Sequence, residues 1–98
     1  MDPAYHFFFR TLGNPTRLAI IHALLDGEKN VTALTKMIGL NQTAVSLHLR
    51  RLLLCRFISA RREGTYRYYS LNQETIGPLL RLMDKHVNTF CSRACTKC

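Results

Sequence analysis

Acidic residues are scarce in this chain: six Asp and Glu stand against 14 Lys and Arg in 98 residues, a formal net charge of +8. The six are scattered, so no carboxylate pair offers itself for acid–base work, and there is no nucleophile–base pair. A Gly-rich phosphate loop is also missing, and an enzyme is therefore not expected. No apolar run approaches the roughly 20 residues that cross a bilayer. The opening Met1-Asp2-Pro3-Ala4-Tyr5-His6 lacks a basic region, and Phe7 to Phe9 is too short for the core of a leader, so a cytoplasmic protein is expected. Internal repeats and long linkers are absent. Cysteine is missing until Cys55, and then three crowd the last eight residues at Cys91, Cys95 and Cys98. In a reducing compartment such a cluster points to metal or redox chemistry rather than structural disulfides.

Apolar residues make up 47% of the chain, which excludes a disordered protein. One domain over residues 1–90 is expected, followed by a cysteine-rich tail over 91–98. A core this small often gains stability by dimerising. The excess positive charge calls for a polyanionic partner, usually nucleic acid.

Helix signals succeed one another along the chain. Asp2-Pro3 is an N-cap followed by proline at the first helical position, and Tyr5, Phe8, Phe9 and Leu12 follow the spacing of an apolar helix face. Asn14-Pro15 repeats the signal, with Leu18, Ile21, Leu24 and Leu25 as the stripe and Gly27 as the stop. A short third helix from about Thr32 would turn Leu34, Met37 and Ile38 inward and end at Gly39. Only Leu40 separates that glycine from the next cap, Asn41, which opens a fourth helix running to about Cys55 with Val45, Leu49 and Leu52 inward. Two short helices joined by a tight glycine turn form a helix-turn-helix.

Residues 57–62 and 66–71 are rich in β-branched and aromatic side chains and are split by Glu63-Gly64-Thr65, which predicts a hairpin, the wing. A last helix from about Gln73 to Cys91 would carry Ile76, Leu79, Leu80, Met83, Val87 and Phe90 on one side, with Pro78 in its first turns. The expected fold is mainly α with a small β-hairpin: a winged helix-turn-helix of five helices and a two-stranded wing.

Six arginines fall within 18 residues (Arg50, Arg51, Arg56, Arg61, Arg62 and Arg67), opposed only by Glu63. A fourth helix lying in the major groove would present Gln42, Thr43, Ser46 and Leu47 outward, with Arg50 beyond them. Gln can bond adenine bidentately, and hydroxyls can bond bases or phosphates. Arg61, Arg62 and Arg67 on the wing would reach phosphates or the narrow minor groove. His48 faces partly inward and reads as a packing or hydrogen-bonding residue. His6 and His22 carry no site signal.

The chain resembles the ArsR/SmtB family of metal-responsive repressors at Leu12-Gly13-Asn14-Pro15-Thr16-Arg17-Leu18-Ala19-Ile20-Ile21, at Gln42-Thr43-Ala44-Val45-Ser46-Leu47-His48-Leu49, and at the wing Arg62-Glu63-Gly64 with Tyr66-Arg67-Tyr68-Tyr69. The likeness runs over about residues 8 to 88. It implies a homodimer built from the first and last helices, a double-stranded operator with dyad symmetry, and an inducer that releases the repressor.

The resemblance also implies alternative inducer sites, and this sequence departs from two of them. The third helix has no Cys. The last helix offers Gln73, Thr75, His86 and Thr89 where an interfacial zinc site needs four ligands, so only His86 survives. A third layout pairs cysteine near the end of the recognition helix with cysteines in the tail. Cys55 occupies the later of the two helix positions and Arg51 the earlier, while Cys91, Cys95 and Cys98 enrich the tail. Three thiolates suit As(III) or Pb(II), and a fourth from Cys55 suits Cd(II) or Zn(II). Nearby Arg93 and Lys97 favour thiolate over thiol. Taken alone, Cys55 reads as a small buried apolar residue. A thiol redox switch, or a constitutive winged-helix DNA-binding protein with no inducer, remain the alternative readings.

Overall fold

The structure is a computed structural model that describes residues 1–91; Cys95 and Cys98 lie outside the described residues. The chain order is α1 (Pro3–Leu12), α2 (Pro15–Leu24), β1 (Lys29–Asn30), α3 (Val31–Ile38), α4 (Gln42–Leu54), β2 (Ile58–Glu63), β3 (Tyr66–Leu71) and α5 (Ile76–Phe90). Among the described residues, no helix is long and apolar enough to cross a membrane.

The first four helices begin where short polar side chains take up free backbone N–H groups. The Asp2 carboxylate accepts from the Ala4 N–H at 2.9 Å, and the Asn14 and Asn41 side-chain oxygens accept from Arg17 and Ala44 at 3.0 and 2.8 Å. Asn30 does the same for Ala33 at 2.8 Å, which starts α3 one residue before the expected Thr32. Between α3 and α4 the chain reverses within Gly39-Leu40-Asn41, and Gly39 takes the left-handed conformation (φ 82°) that closes a helix. The helix-turn-helix is therefore set by local chemistry, and α4 leaves it on a fixed line.

The far end of α4 closes differently. Arg56 is left-handed without being glycine (φ 58°). Its N–H reaches the Leu53 carbonyl at 3.1 Å, and the Phe57 N–H reaches the Leu52 carbonyl at 3.0 Å, a Schellman closure. The Asn72 amide donates to the Arg56 carbonyl at 3.0 Å and ties the closure to the end of β3. This turn drives Phe57 and Ile58 into the core and launches the wing.

The sheet differs from the expected two-stranded wing. It has three antiparallel strands in the order β1-β3-β2, with Lys29 opposite Tyr69 and Asn30 opposite Tyr68. A strand of two polar residues leaves no alternation to read, so only the tertiary structure shows it. The β2–β3 hairpin itself is as expected, turning through Gly64 (φ 62°).

One core joins every layer: Ile20, Ile21 and Leu24 from α2, Leu34 from α3, Val45, Leu49 and Leu52 from α4, Phe57 and Ile58, Tyr69 and Leu71 from β3, and Ile76 and Leu80 from α5. The N-terminal and C-terminal helices contribute less than their patterns suggest. On α1, Leu12 is buried and Phe8 packs on Phe57 (ring centroids 5.1 Å apart), but Tyr5, Phe7 and Phe9 are exposed. On α5, Ile76 and Leu80 of the apolar side are buried, while Val87 and Phe90 of that side, and Leu82, are exposed. The apolar stripes of α1 and α5 are wider than one protomer's core can cover. Pro78 sits in the first turn of α5, where its missing N–H costs nothing.

Candidate nucleic-acid interface

The inner side of α4 holds Val45, Leu49 and Leu52 at 1% exposure or less, so the opposite side must face outward. There Gln42, Thr43, Ser46, Leu47 and Arg50 line one continuous depression. Gln42, Ser46 and Arg50 also form one wall of a groove whose other wall is Thr65, Tyr66, Arg67 and Tyr69 of the wing. Six of the eight residues expected to touch DNA are thus brought together: Gln42, Thr43, Ser46, Leu47, Arg50 and Arg67.

The other two lie on β2 and differ from each other. Arg62 stands directly opposite Arg67 in the hairpin register, and among the described residues neither forms an ion pair. Like charges paired across strands are destabilising unless an anion joins them. Arg61 is already occupied. Its guanidinium is paired with both oxygens of Glu28 and with Glu63 at 2.8 Å, and lies 4.8 Å above the Tyr68 ring. The Arg61 hydrogen bond holds the Glu28 carboxyl below its ordinary value. Arg61 thus ties β2 to the turn before β1.

His48 is half-buried on α4, with its Nδ1 3.4 Å from the Arg17 guanidinium. Burial first, and the Arg17 cation second, push its pKa down. Neutral His48 accepts through Nδ1, as a hydrogen-bonding residue should. Arg17 also donates to the Thr11 carbonyl at 2.7 Å and to the Arg10 carbonyl at 3.1 Å, so it fastens the end of α1 to α4.

Cys55 is exposed, not buried as its type alone suggests. It caps the C-terminus of α4, and its Sγ lies 3.5 Å from the hydroxyl of buried Thr11. The left-handed turn at Arg56 ends the helix there and leaves the thiol at the surface. Cys91 is half-buried at the end of α5. Among the described residues, no three His, Cys, Asp or Glu side chains gather in a metal-holding group.

One pair had no signature in the sequence. His22 on α2 bonds Asp84 on α5 through Nε2 at 2.9 Å, and its Nδ1 bonds the Leu18 carbonyl at 2.9 Å. Both partners are acceptors, so only the protonated, positively charged ring can donate to both. Burial opposes that charge, but the Asp84 and Leu18 hydrogen bonds outweigh it and raise the pKa above the ordinary value. The stability gained from this pair is fully present below the unfolded value of about 6.5 and is lost as pH rises through the higher folded value. With side chains 45% and 38% exposed, the pair is screened and should contribute less than about 1 kcal/mol. Between pH 5.5 and 8.5 the urea midpoint of wild type relative to His22→Gln should fall slightly with rising pH, because the lowered His48 pKa acts in the opposite direction but alike in both proteins; a difference that stays constant with pH would mean that the pair adds nothing.

Residues 14–60, the span from the α2 cap into β2, match the model of the bacterial regulatory protein family arsR. The arsenical resistance operon repressor of Bacillus subtilis is 35% identical over 77 residues, 78% of this chain and 73% of that protein. The chain belongs to the arsR family. A probable mercury resistance operon repressor from Streptomyces lividans is 37% identical over 75 residues, 76% of this chain but 60% of that protein, so the chain spans less than two thirds of that relative's length. Among solved structures, the homodimeric winged helix-turn-helix DNA-binding domain of a possible ArsR-family regulator from Mycobacterium bovis superposes with a TM-score of 0.81 at 32% identity, covering 87% of this chain and 79% of the other. These arsR-family relatives are transcriptional regulators rather than enzymes, and the winged helix-turn-helix fold is common ground with the Mycobacterium bovis domain.

Proposed function

We propose that this arsR-family chain is a homodimeric repressor that binds a dyad-symmetric double-stranded operator through α4 and the wing, and that a thiophilic ion bound by cysteines releases it. The groove between α4 and the wing carries the proposal. It places Gln42, Ser46 and Arg50 opposite Arg67, with Arg62 beside Arg67. Exposed Gln42, Thr43, Ser46 and Leu47 meet base edges, while Arg50, Arg62 and Arg67 meet phosphates or base acceptors. Arg61, tied to Glu28 and Glu63, braces the wing and reaches DNA only if those pairs open.

The exposed apolar side chains of α1 and α5 supply the dimer surface: Tyr5, Phe7 and Phe9 with Leu82, Val87 and Phe90. The inducer ligands are Cys55, Cys91, Cys95 and Cys98. The exposed Cys55 thiol hydrogen-bonds the Thr11 hydroxyl and is open to an incoming ion. Soft sulfur selects As(III), Pb(II), Cd(II) or Zn(II) over hard cations. Cys55 ends the recognition helix, so ligation there acts on the element that holds the operator. A cytoplasmic location accords with reduced thiols and a DNA target.

The two adjacent wing arginines separate this reading from a generally basic surface. Arg62→Ala should weaken operator binding and lower the slope of log K against log salt by about 0.9, the loss of one phosphate contact. Arg61→Ala should leave that slope unchanged. Equal slopes for wild type and Arg62→Ala would remove the wing contact from the account.

A further inference from the structure

We propose that Leu47 reads the 5-methyl group of a thymine, which makes it a determinant of operator sequence; the inference rests on the DNA-binding reading above. Leu47 is 58% exposed in the middle of the outer face of α4. Its companions in the same depression are Gln42, Thr43, Ser46 and Arg50, all polar or charged. Packing does not explain the leucine, because the core contacts of α4 come from Val45, Leu49 and Leu52 on the other side.

The surroundings select the occupant. Arg50 shares the depression, Arg67 stands across the groove from it, and Arg62 pairs with Arg67 in the hairpin register. A partner entering here must be polyanionic and still offer an apolar knob. In the major groove of DNA, the thymine methyl is the apolar group that the bases present. The same helix contains no Asp or Glu, so no carboxylate is present to accept from a cytosine amino group. Gln42, the long amide at the start of the helix, suits adenine. Leu47 lies five residues further on, about 7.5 Å along the axis. The half-site should therefore carry at least two A·T pairs, one met by Gln42 and one by Leu47.

The experiment starts from random-sequence duplexes selected on the full-length protein. In the enriched sequence, each thymine of one half-site is then replaced by deoxyuridine, which removes only the methyl. One such replacement should lower wild-type affinity about fourfold, the worth of one buried methyl-sized group. Leu47→Ala, at a position that holds no core contact, should bind the thymine and deoxyuridine duplexes equally and keep the wild-type salt slope. A deoxyuridine penalty that persists in Leu47→Ala would assign the methyl contact elsewhere, and the absence of any penalty in wild type would end the inference. Both results leave DNA binding intact. Failure to enrich any sequence would instead defeat the operator reading, and this inference with it.

Discussion

Truncating Leu49 to alanine should lower the unfolding free energy by about 2–5 kcal/mol, the range for emptying a buried leucine site. Leu49 is 1% exposed and sits on the inner side of α4 between Val45 and Leu52. The core it helps fill joins α2, α3, β3 and α5, so the cavity cannot close by shifting one surface helix. For a domain of this size the loss is a large part of a stability of about 5–15 kcal/mol. Urea unfolding at a fixed protein concentration checks the value, because a dimer's midpoint depends on concentration. Operator affinity per folded molecule should change less than stability, since Leu49 lies on the side of α4 away from the groove. A loss below about 1 kcal/mol would mean that α4 is not seated on this core.

Arg50→Ala is expected to do the reverse: leave stability within about 0.5 kcal/mol, as for exposed positions, and weaken operator binding by about 5- to 160-fold, the cost of about 1–3 kcal/mol for a direct contact. Arg50 is exposed and belongs both to the outer depression of α4 and to the groove shared with the wing. That double membership ranks it above Arg51, which lines neither. Anisotropy on operator and on random duplex separates two contributions. Equal loss on both assigns Arg50 to phosphate; a larger loss on operator assigns it to a base. No loss on either would place the DNA elsewhere on the surface.

Local chemistry made much of this legible in the sequence. Asp2-Pro3, Asn14-Pro15 and Asn41 are caps in the structure, and Gly39 and Gly64 hold the left-handed positions of the two tight turns. The outward set on α4 followed from its apolar inner spacing. What stayed hidden depends on distant partners. β1 is two polar residues that pair only with β3, and Asn30 is both its end and the cap of α3. His22 and Asp84 are 62 residues apart, so neither marks the other. The Arg61 contact with Glu28 spans 33 residues and occupies a side chain that was expected to reach DNA. Arg56 adopts φ 58° because the Leu52 and Leu53 carbonyls and Asn72 hold it there, a conformation its residue type does not announce. The exposure of Cys55 follows from that same turn. On α1 and α5 the apolar spacing was read correctly, but a single chain has no surface for Phe9, Val87 and Phe90 to meet.

Cysteine-bound ions should control the grip of α4 and the wing on DNA. Titrating the reduced protein with Cd(II) and with As(III), while following thiolate-to-metal absorption and operator anisotropy together, tests it most directly. A saturable thiolate complex should form and operator affinity should fall tenfold or more, a coupling of about 1.4 kcal/mol or above, both reduced by Cys55→Ser. Absence of binding for both ions, or binding that leaves operator affinity unchanged, would contradict it.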